Sequence, residues 1–260
     1  MQATSLNPAV RGHVSEAAPR KTYARLIGAL FLIGFLTYGT GFGLINSVIT
    51  AADFPANIAA AQTILLIGGF LMLLNTVVDI GKGVLFFPIL ENHGRRTAFV
   101  YLAAIVVQVV FLDIGALFLL MLVPLSQIAA DAGASSAAWA PGIASLLTES
   151  NTLAYNIGQA TLSFGGVFLC LLLYRTRLIP QLLAGLGVLG YVMHAGGAIS
   201  EIFGLQISLY LLIPGAIFEV AIAFWLIFKG FNAAVVAQSS PATDDEPSAG
   251  PAAAPVAVGS

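Results

Sequence analysis

Residues 58–96 read IAAAQTILLIGGFLMLLNTVVDIGKGVLFFPILENHGRR, and this stretch decides the fold. From Ile58 to Leu90 the only charged side chains are Asp79 and Lys82, and a helix of that length reaches roughly 50 Å. A core helix of a soluble protein is shorter and keeps a polar face, which this run lacks. The run also exceeds the roughly 30 Å hydrocarbon core of a bilayer, so it reads as a membrane helix that tilts or protrudes. Glu91 to Arg96, the charged ENHGRR, then turns the chain back.

The same pattern extends to both sides. Leu26 to Ile49 is a first span, and Thr97 to Val123 is a third, closed by Pro124. Thr152 to Tyr174 is a fourth, and Gln181 to Ile202 is a fifth, after a turn at Arg175, Arg177 and Pro180. The sixth must begin near Ile207, because Pro214 to Phe228 alone covers only about 22 Å. Pro214 then falls inside that helix and is expected to kink it. Between the third and fourth spans, Ser126 to Ser150 carries Asp131, Trp139, Pro141 and Glu149 in an Ala/Ser/Gly background, the pattern of an ordered loop or a short interfacial helix. The expected fold is all-α, an integral membrane bundle of six transmembrane helices (residues 23–231). A flexible arm (1–22) precedes it, and a disordered tail (232–260) with Asp244, Asp245 and Glu246 follows.

Composition points the same way. Hydrophobic residues make up 58% of the chain and charged residues 8%, with a mean hydropathy of +0.95. A soluble surface needs roughly a quarter charged residues, so lipid must solvate this one. A net charge of -2 carries no basic excess for nucleic acid. Cys170 is the sole cysteine, which excludes an intrachain disulfide and a Cys-based zinc site. Leu26 to Ile49 is too long for the apolar part of a signal peptide, and no Ala-x-Ala site closes it.

Orientation follows from the basic residues. Arg11, Arg20, Lys21, Arg25, Arg95, Arg96, Arg175, Arg177 and Lys229 are nine of the ten Lys and Arg. All nine fall on one side if both termini are cytoplasmic, which is the positive-inside pattern. The tenth, Lys82, lies within the second span and requires a partner, with Asp79 on its own helix and Glu219 on the sixth span as the candidates.

Three blocks in the last spans carry a resemblance. They are Leu173-Tyr174-Arg175-Thr176-Arg177-Leu178-Ile179-Pro180, then Pro214-Gly215-Ala216-Ile217-Phe218-Glu219, and Trp225-Leu226-Ile227-Phe228-Lys229-Gly230-Phe231. With Gly185 to Gly190 between them, they resemble a bacterial multi-pass membrane family catalogued as domain of unknown function 4386, over about Arg25 to Phe231. The resemblance implies a bacterial inner membrane location and no activity. In the third span relatives look like Tyr-x-x-x-Arg-x-x-Glu, where this chain has Tyr101, Ile105 and Gln108.

Ionisable and amide side chains inside the spans are the candidates for function, since a charge at the bilayer centre costs about 2.5–3.5 kcal/mol on insertion scales. Asn75, Asp79 and Lys82 form one stripe, with Asp79 and Lys82 at a spacing that lets them pair. Glu219 lies about 15 Å in from Lys229, and His194 about 20 Å from Pro180. Asn156 and Gln159 share a face of the fourth span with Thr152 and Ser163. With Gln108, the candidate polar interior or ligand site is Asn75, Asp79, Lys82, Gln108, Asn156, Gln159, His194 and Glu219. Asp113 and Glu201 fall nearer the outer boundary, where water would solvate them.

Gly185-Leu-Gly187-Val-Leu-Gly190 matches G-x-G-x-x-G but lacks the preceding strand, so it reads as helix packing, as does Gly39-x-x-x-Gly43. Neither H-E-x-x-H nor G-x-S-x-G occurs, and three histidines do not suggest a metal site. The expectation is a protein without cofactor or metal whose partners are the lipid bilayer and a small solute or ion, bound or transported through a polar interior. Homo-oligomer formation is left open. An accessory or structural membrane protein is the alternative, and an intramembrane hydrolase using Ser163 with His194 is the remote one.

Overall fold

The computed structural model describes residues 17–49, 58, 60–133 and 136–238. It is all-α, with no strand among the described residues. The elements are α1 (Ala17–Ile49), α2 (Gln62–Leu120), α3 (Leu122–Ala132), α4 (Ala140–Thr176), α5 (Gln181–Ile202), α6 (Ser208–Phe228) and α7 (Ala233–Gln238). Five of these helical stretches are long and apolar enough to cross a membrane.

α2 is a hairpin. Its backbone leaves helical geometry at Gly94 (φ -176, ψ 78), within the charged turn. The Thr76 hydroxyl donates to Asp113 Oδ1 at 2.6 Å, the Phe87 and Phe99 rings lie 5.0 Å apart, and Leu120 fills the space beside Gly69. In a continuous helix residues 69 and 120 would stand about 75 Å apart. The two arms, 62–93 and 95–120, therefore run antiparallel, and the bundle has six long apolar helices.

The helices close into a ring. α1 packs on α2 and α6, α2 on α4, α4 on α5, and α5 on α6. α1 and α4 face each other across the middle, bridged by the stacked Tyr38 and Tyr155 rings at 5.8 Å. Lys21, Arg25, Arg95, Arg96, Arg175, Arg177 and Lys229 gather at one end, where Leu172 packs beside Gly94 and Ala24 beside Gly230.

Side chains are distributed inside out. Phe70 and Val77 are 64% and 67% exposed, whereas Asn75, Asp79, Lys82 and Gln108 are buried. Water would penalise such a belt of exposed apolar groups, and lipid does not. The chain is a multi-pass membrane protein.

Small residues set the closest contacts, as expected where lipid tails are as apolar as the side chains. A Cβ on Gly190 would lie 2.7 Å from the Gly215 backbone, and one on Gly187 would meet Cys170 and Phe218. Gly185 contacts only Tyr174, at the limit of touch. The Gly39-x-x-x-Gly43 seam is a correction, because neither residue has a neighbour within 4 Å of such a Cβ. The seam of α1 is instead Gly41, which meets Gly68 and Met72, together with Gly28 against Ala223 and Ile227. Gly41 lies on a different face of the helix from Gly39 and Gly43.

Three boundaries also differ from expectation. Pro124 does not end its helix, because it falls in the first turn of α3, where its missing N–H has no helical acceptor to lose. α4 begins at Ala140, well before Thr152, with Pro141 in its first turn. Of the loop or short helix expected over Ser126 to Ser150, most is therefore helix, much of it continuous with α4. After α6, Asn232 N–H donates to Leu178 O at 2.9 Å and its Oδ1 accepts from Ala234 N–H. These bonds start α7 in what reads as a disordered tail. The helix of α6 continues through Pro214. The N-terminal arm before residue 17 and the acidic tail after residue 238 lie outside the described residues.

Candidate functional site: a polar cavity inside the ring

The middle of the ring holds a cavity of about 220 Å³ to which α1, both arms of α2, α4, α5 and α6 contribute. Seven of the eight candidate residues line it: Asn75, Asp79, Lys82, Gln108, Gln159, His194 and Glu219. Helical phase explains the convergence. Asn75, Asp79 and Lys82 recur on one face of the first α2 arm, and the others sit at similar depth on the helices facing it.

One wall is a fixed network. Lys82 Nζ lies 2.8 Å from Asp79 Oδ1, and Asn75 Nδ2 donates to Asp79 Oδ2 at 3.0 Å. Asn75 Oδ1 lies 3.2 Å from the Thr37 hydroxyl, and the Lys82 ammonium stands 4.5 Å from the centre of the Phe31 ring. Both carboxylate oxygens of Asp79 are therefore engaged, and Lys82 is held by an anion and an aromatic face. The sequence left Asp79 and Glu219 open as partners for Lys82. The ion pair is with Asp79, and Lys82 forms none with Glu219.

The rest of the lining is not closed in this way. Glu219 is half-buried and fronts the cavity, with one oxygen accepting from the Tyr191 hydroxyl at 2.8 Å. Gln108 is 4% exposed, and its Oε1 has no hydrogen-bond partner. Outside the lining, Ser163 Oγ and Tyr101 OH are also buried without partners. Ile105 packs against Gly83, next to Lys82, so the lysine occupies the neighbourhood of the Tyr101, Ile105 and Gln108 face.

A second cavity of about 320 Å³ adjoins the first through Tyr38, Gly39, Tyr155, His194 and Leu212. It lies toward the end of the bundle away from the arginines. Asn156, the eighth candidate, lines this one, with Glu201, Asn151 and Phe42. Asn156 also donates back to Thr152 O within α4 at 2.9 Å. Glu201 Oε2 and Asn151 Nδ2 are buried without partners. Asp113 does not join either cavity, and its bond to Thr76 ties the two arms of α2 together.

The aromatic lining, Phe35, Tyr38 and Tyr155, was not singled out from sequence, whereas Tyr191, which holds Glu219, shares a helical stripe with His194. In an apolar span such rings look the same whether they face lipid or cavity. For the hydrolase alternative, Ser163 and His194 form no hydrogen bond with each other, and no cluster of three or more metal-ligating side chains occurs among the described residues.

A family model described as Domain of unknown function (DUF4386) matches residues 26–230. No curated protein and no solved structure matches the chain.

Proposed function

Starting from a chain that belongs to the family described as Domain of unknown function (DUF4386), a membership that brings no activity with it, we propose that the protein binds a small cation in the ring cavity and passes it across the membrane. The observation that carries this reading is the unbalanced polar lining. Asp79 and Lys82 neutralise each other, which leaves Glu219 as the surplus charge, with Gln108 Oε1 as an unpaired acceptor on the same cavity. A carboxylate turned into a membrane interior without a cation is costly. Phe35, Tyr38 and Tyr155 add aromatic faces, which favour ammonium or another small monovalent cation over an anion. The adjoining cavity with Glu201 supplies an acidic approach from the arginine-poor end.

In this reading the six helices all span the inner membrane of a bacterium, and the basic end with both termini faces the cytoplasm. Cysteine labelling checks the orientation. A cysteine at Asp131 should react with an impermeant reagent from outside while one at Asn92 does not, and the reverse pattern would invert the topology.

The test of function uses purified protein in lipid nanodiscs and proteoliposomes. Methylammonium and the alkali cations are compared with neutral and anionic compounds of similar size. A cation should raise the unfolding temperature and be taken up, and both effects should vanish in Glu219→Gln. If neutral and anionic compounds act equally, or nothing binds, the polar interior is a structural network of the kind already formed by Thr37, Asn75, Asp79 and Lys82.

A further inference from the structure

At the basic end a separate open hollow of about 480 Å³ lies between the α4–α5 turn and the chain leaving α6. Its walls are residues 177–181 on one side and Trp225 with residues 229–232 on the other. These are the same two segments, Tyr-Arg-x-Arg-x-Ile-Pro and Trp-Leu-x-x-Lys-Gly-Phe, that stand out in the sequence. They are distant along the chain and meet only here.

The hollow is held in shape by backbone bonds. Arg177 ends α4 with φ 56 and ψ 30, and is the sole non-glycine residue with positive φ among the described residues. Asn232 pins the turn, its N–H donating to Leu178 O at 2.9 Å and its side chain reaching Arg177 O at 3.4 Å.

The chemistry of the walls is one-sided. The ionisable residues among them are Arg177 and Lys229, with no carboxylate, and neither forms an ion pair among the described residues. Trp225 Nε1, a donor only, is buried without an acceptor. α5 starts at Gln181, and its first N–H bonded across the turn is that of Ala184, to Pro180 O. The N–H groups of residues 181–183 therefore have no helical acceptor and carry the positive end of the helix dipole. Two cations, an orphan indole N–H and a helix start call for a compact anion rich in acceptors, and phosphate meets that description. Basic hollows between helix ends at a membrane surface are suited to lipid headgroups for the same reason.

We propose that this hollow, distinct from the ring cavity, binds a phosphate group, carried either by an anionic phospholipid headgroup or by a free phosphate compound, with Arg177, Lys229, Trp225 and the start of α5 as its donors. The site sits where α4, α5 and α6 end together, so an occupant ties those ends.

The full chain in phosphatidylcholine nanodiscs provides the test, with unfolding temperature as readout. Phosphatidylglycerol is doped into the discs in one series, and inorganic phosphate is titrated in another. Arg177→Gly removes the guanidinium while suiting the left-handed backbone, so it is expected to fold. Lys229→Gln and Trp225→Phe complete the set, and Arg95→Gln, at the same end but outside the hollow, controls for general surface charge. The expected result is a rise in unfolding temperature whose half-effect concentration increases at least about tenfold in Arg177→Gly and Lys229→Gln but not in Arg95→Gln. A response to phosphatidylglycerol alone assigns the lipid source, and a response to phosphate in neutral discs assigns the soluble one. No response to either, or an equal response in wild type and the Arg177 and Lys229 variants, overturns the proposal.

Discussion

α5 and α6 meet backbone to backbone, whereas α1 and α4 stand apart across a polar cavity. At the first contact Gly190 leaves no room even for a methyl group against the Gly215 backbone. At the second, Tyr38 and Tyr155 touch only through their rings, and water-sized space opens on both sides of them. The two contacts lie at similar depth in one bundle, so depth alone does not decide which becomes a seam. Side-chain size does. Where glycines coincide on facing helices, dispersion contact closes the gap, and where bulky or charged groups face inward, the helices are held apart and a cavity remains.

The strongest way to break this contrast is at the fixed wall of the cavity. Lys82→Met leaves the Asp79 carboxylate buried without its cation and should cost about 3–5 kcal/mol, while Lys82→Met with Asp79→Asn should cost clearly less than the sum of the two single changes. Unfolding in mild detergent measures the cycle, and additive effects would mean the pair is not coupled. The seam comes next. Gly190→Leu must push α5 from α6 and should destabilise by about 1–3 kcal/mol or more, with no change in cation selectivity if the cavity is a separate feature. The smallest effect sharpens the comparison. Gly43→Ala faces open space and should be neutral or stabilise by about 0.5–1 kcal/mol through helix propensity. A loss of stability comparable to that of Gly190→Leu would restore the Gly39 and Gly43 seam that the packing replaces.

Much of this was legible because a membrane simplifies the code. A run without charges must be a helix, and the charges that interrupt it mark turns, so the hairpin at Gly94 and the bounds of α5 follow from Glu91 to Arg96 and from Arg175 to Pro180. The Asp79 and Lys82 pair follows from three-residue spacing on a helix that offers no water. The polar residues of different helices converge because each faces away from lipid at similar depth.

The rest depends on neighbours. Gly39, Gly41 and Gly43 lie within five residues, and only the position of α2 selects Gly41 for contact. Tyr38 and Tyr155 have no signature that separates a cavity lining from a lipid face. The Ala/Ser/Gly-rich start of α4 has no apolar period, and only Pro141 hinted that a helix begins there. Asn232 looks like the start of a tail until the turn at Leu178 is placed beside it.

The central claim is that the ring interior is a hydrated cavity biased toward cations by Glu219. A cysteine at Ala216, which lines the cavity, tests it most directly, since native Cys170 is buried and gives a quiet background. The rate of its reaction with a small cationic thiosulfonate is compared with that of an anionic one of equal size, in nanodiscs. The account predicts measurable reaction, faster with the cationic reagent by roughly tenfold, as one unit charge at short range allows, and loss of that preference when Glu219→Gln is added. No reaction with either reagent, or equal rates that Glu219→Gln does not change, would contradict it.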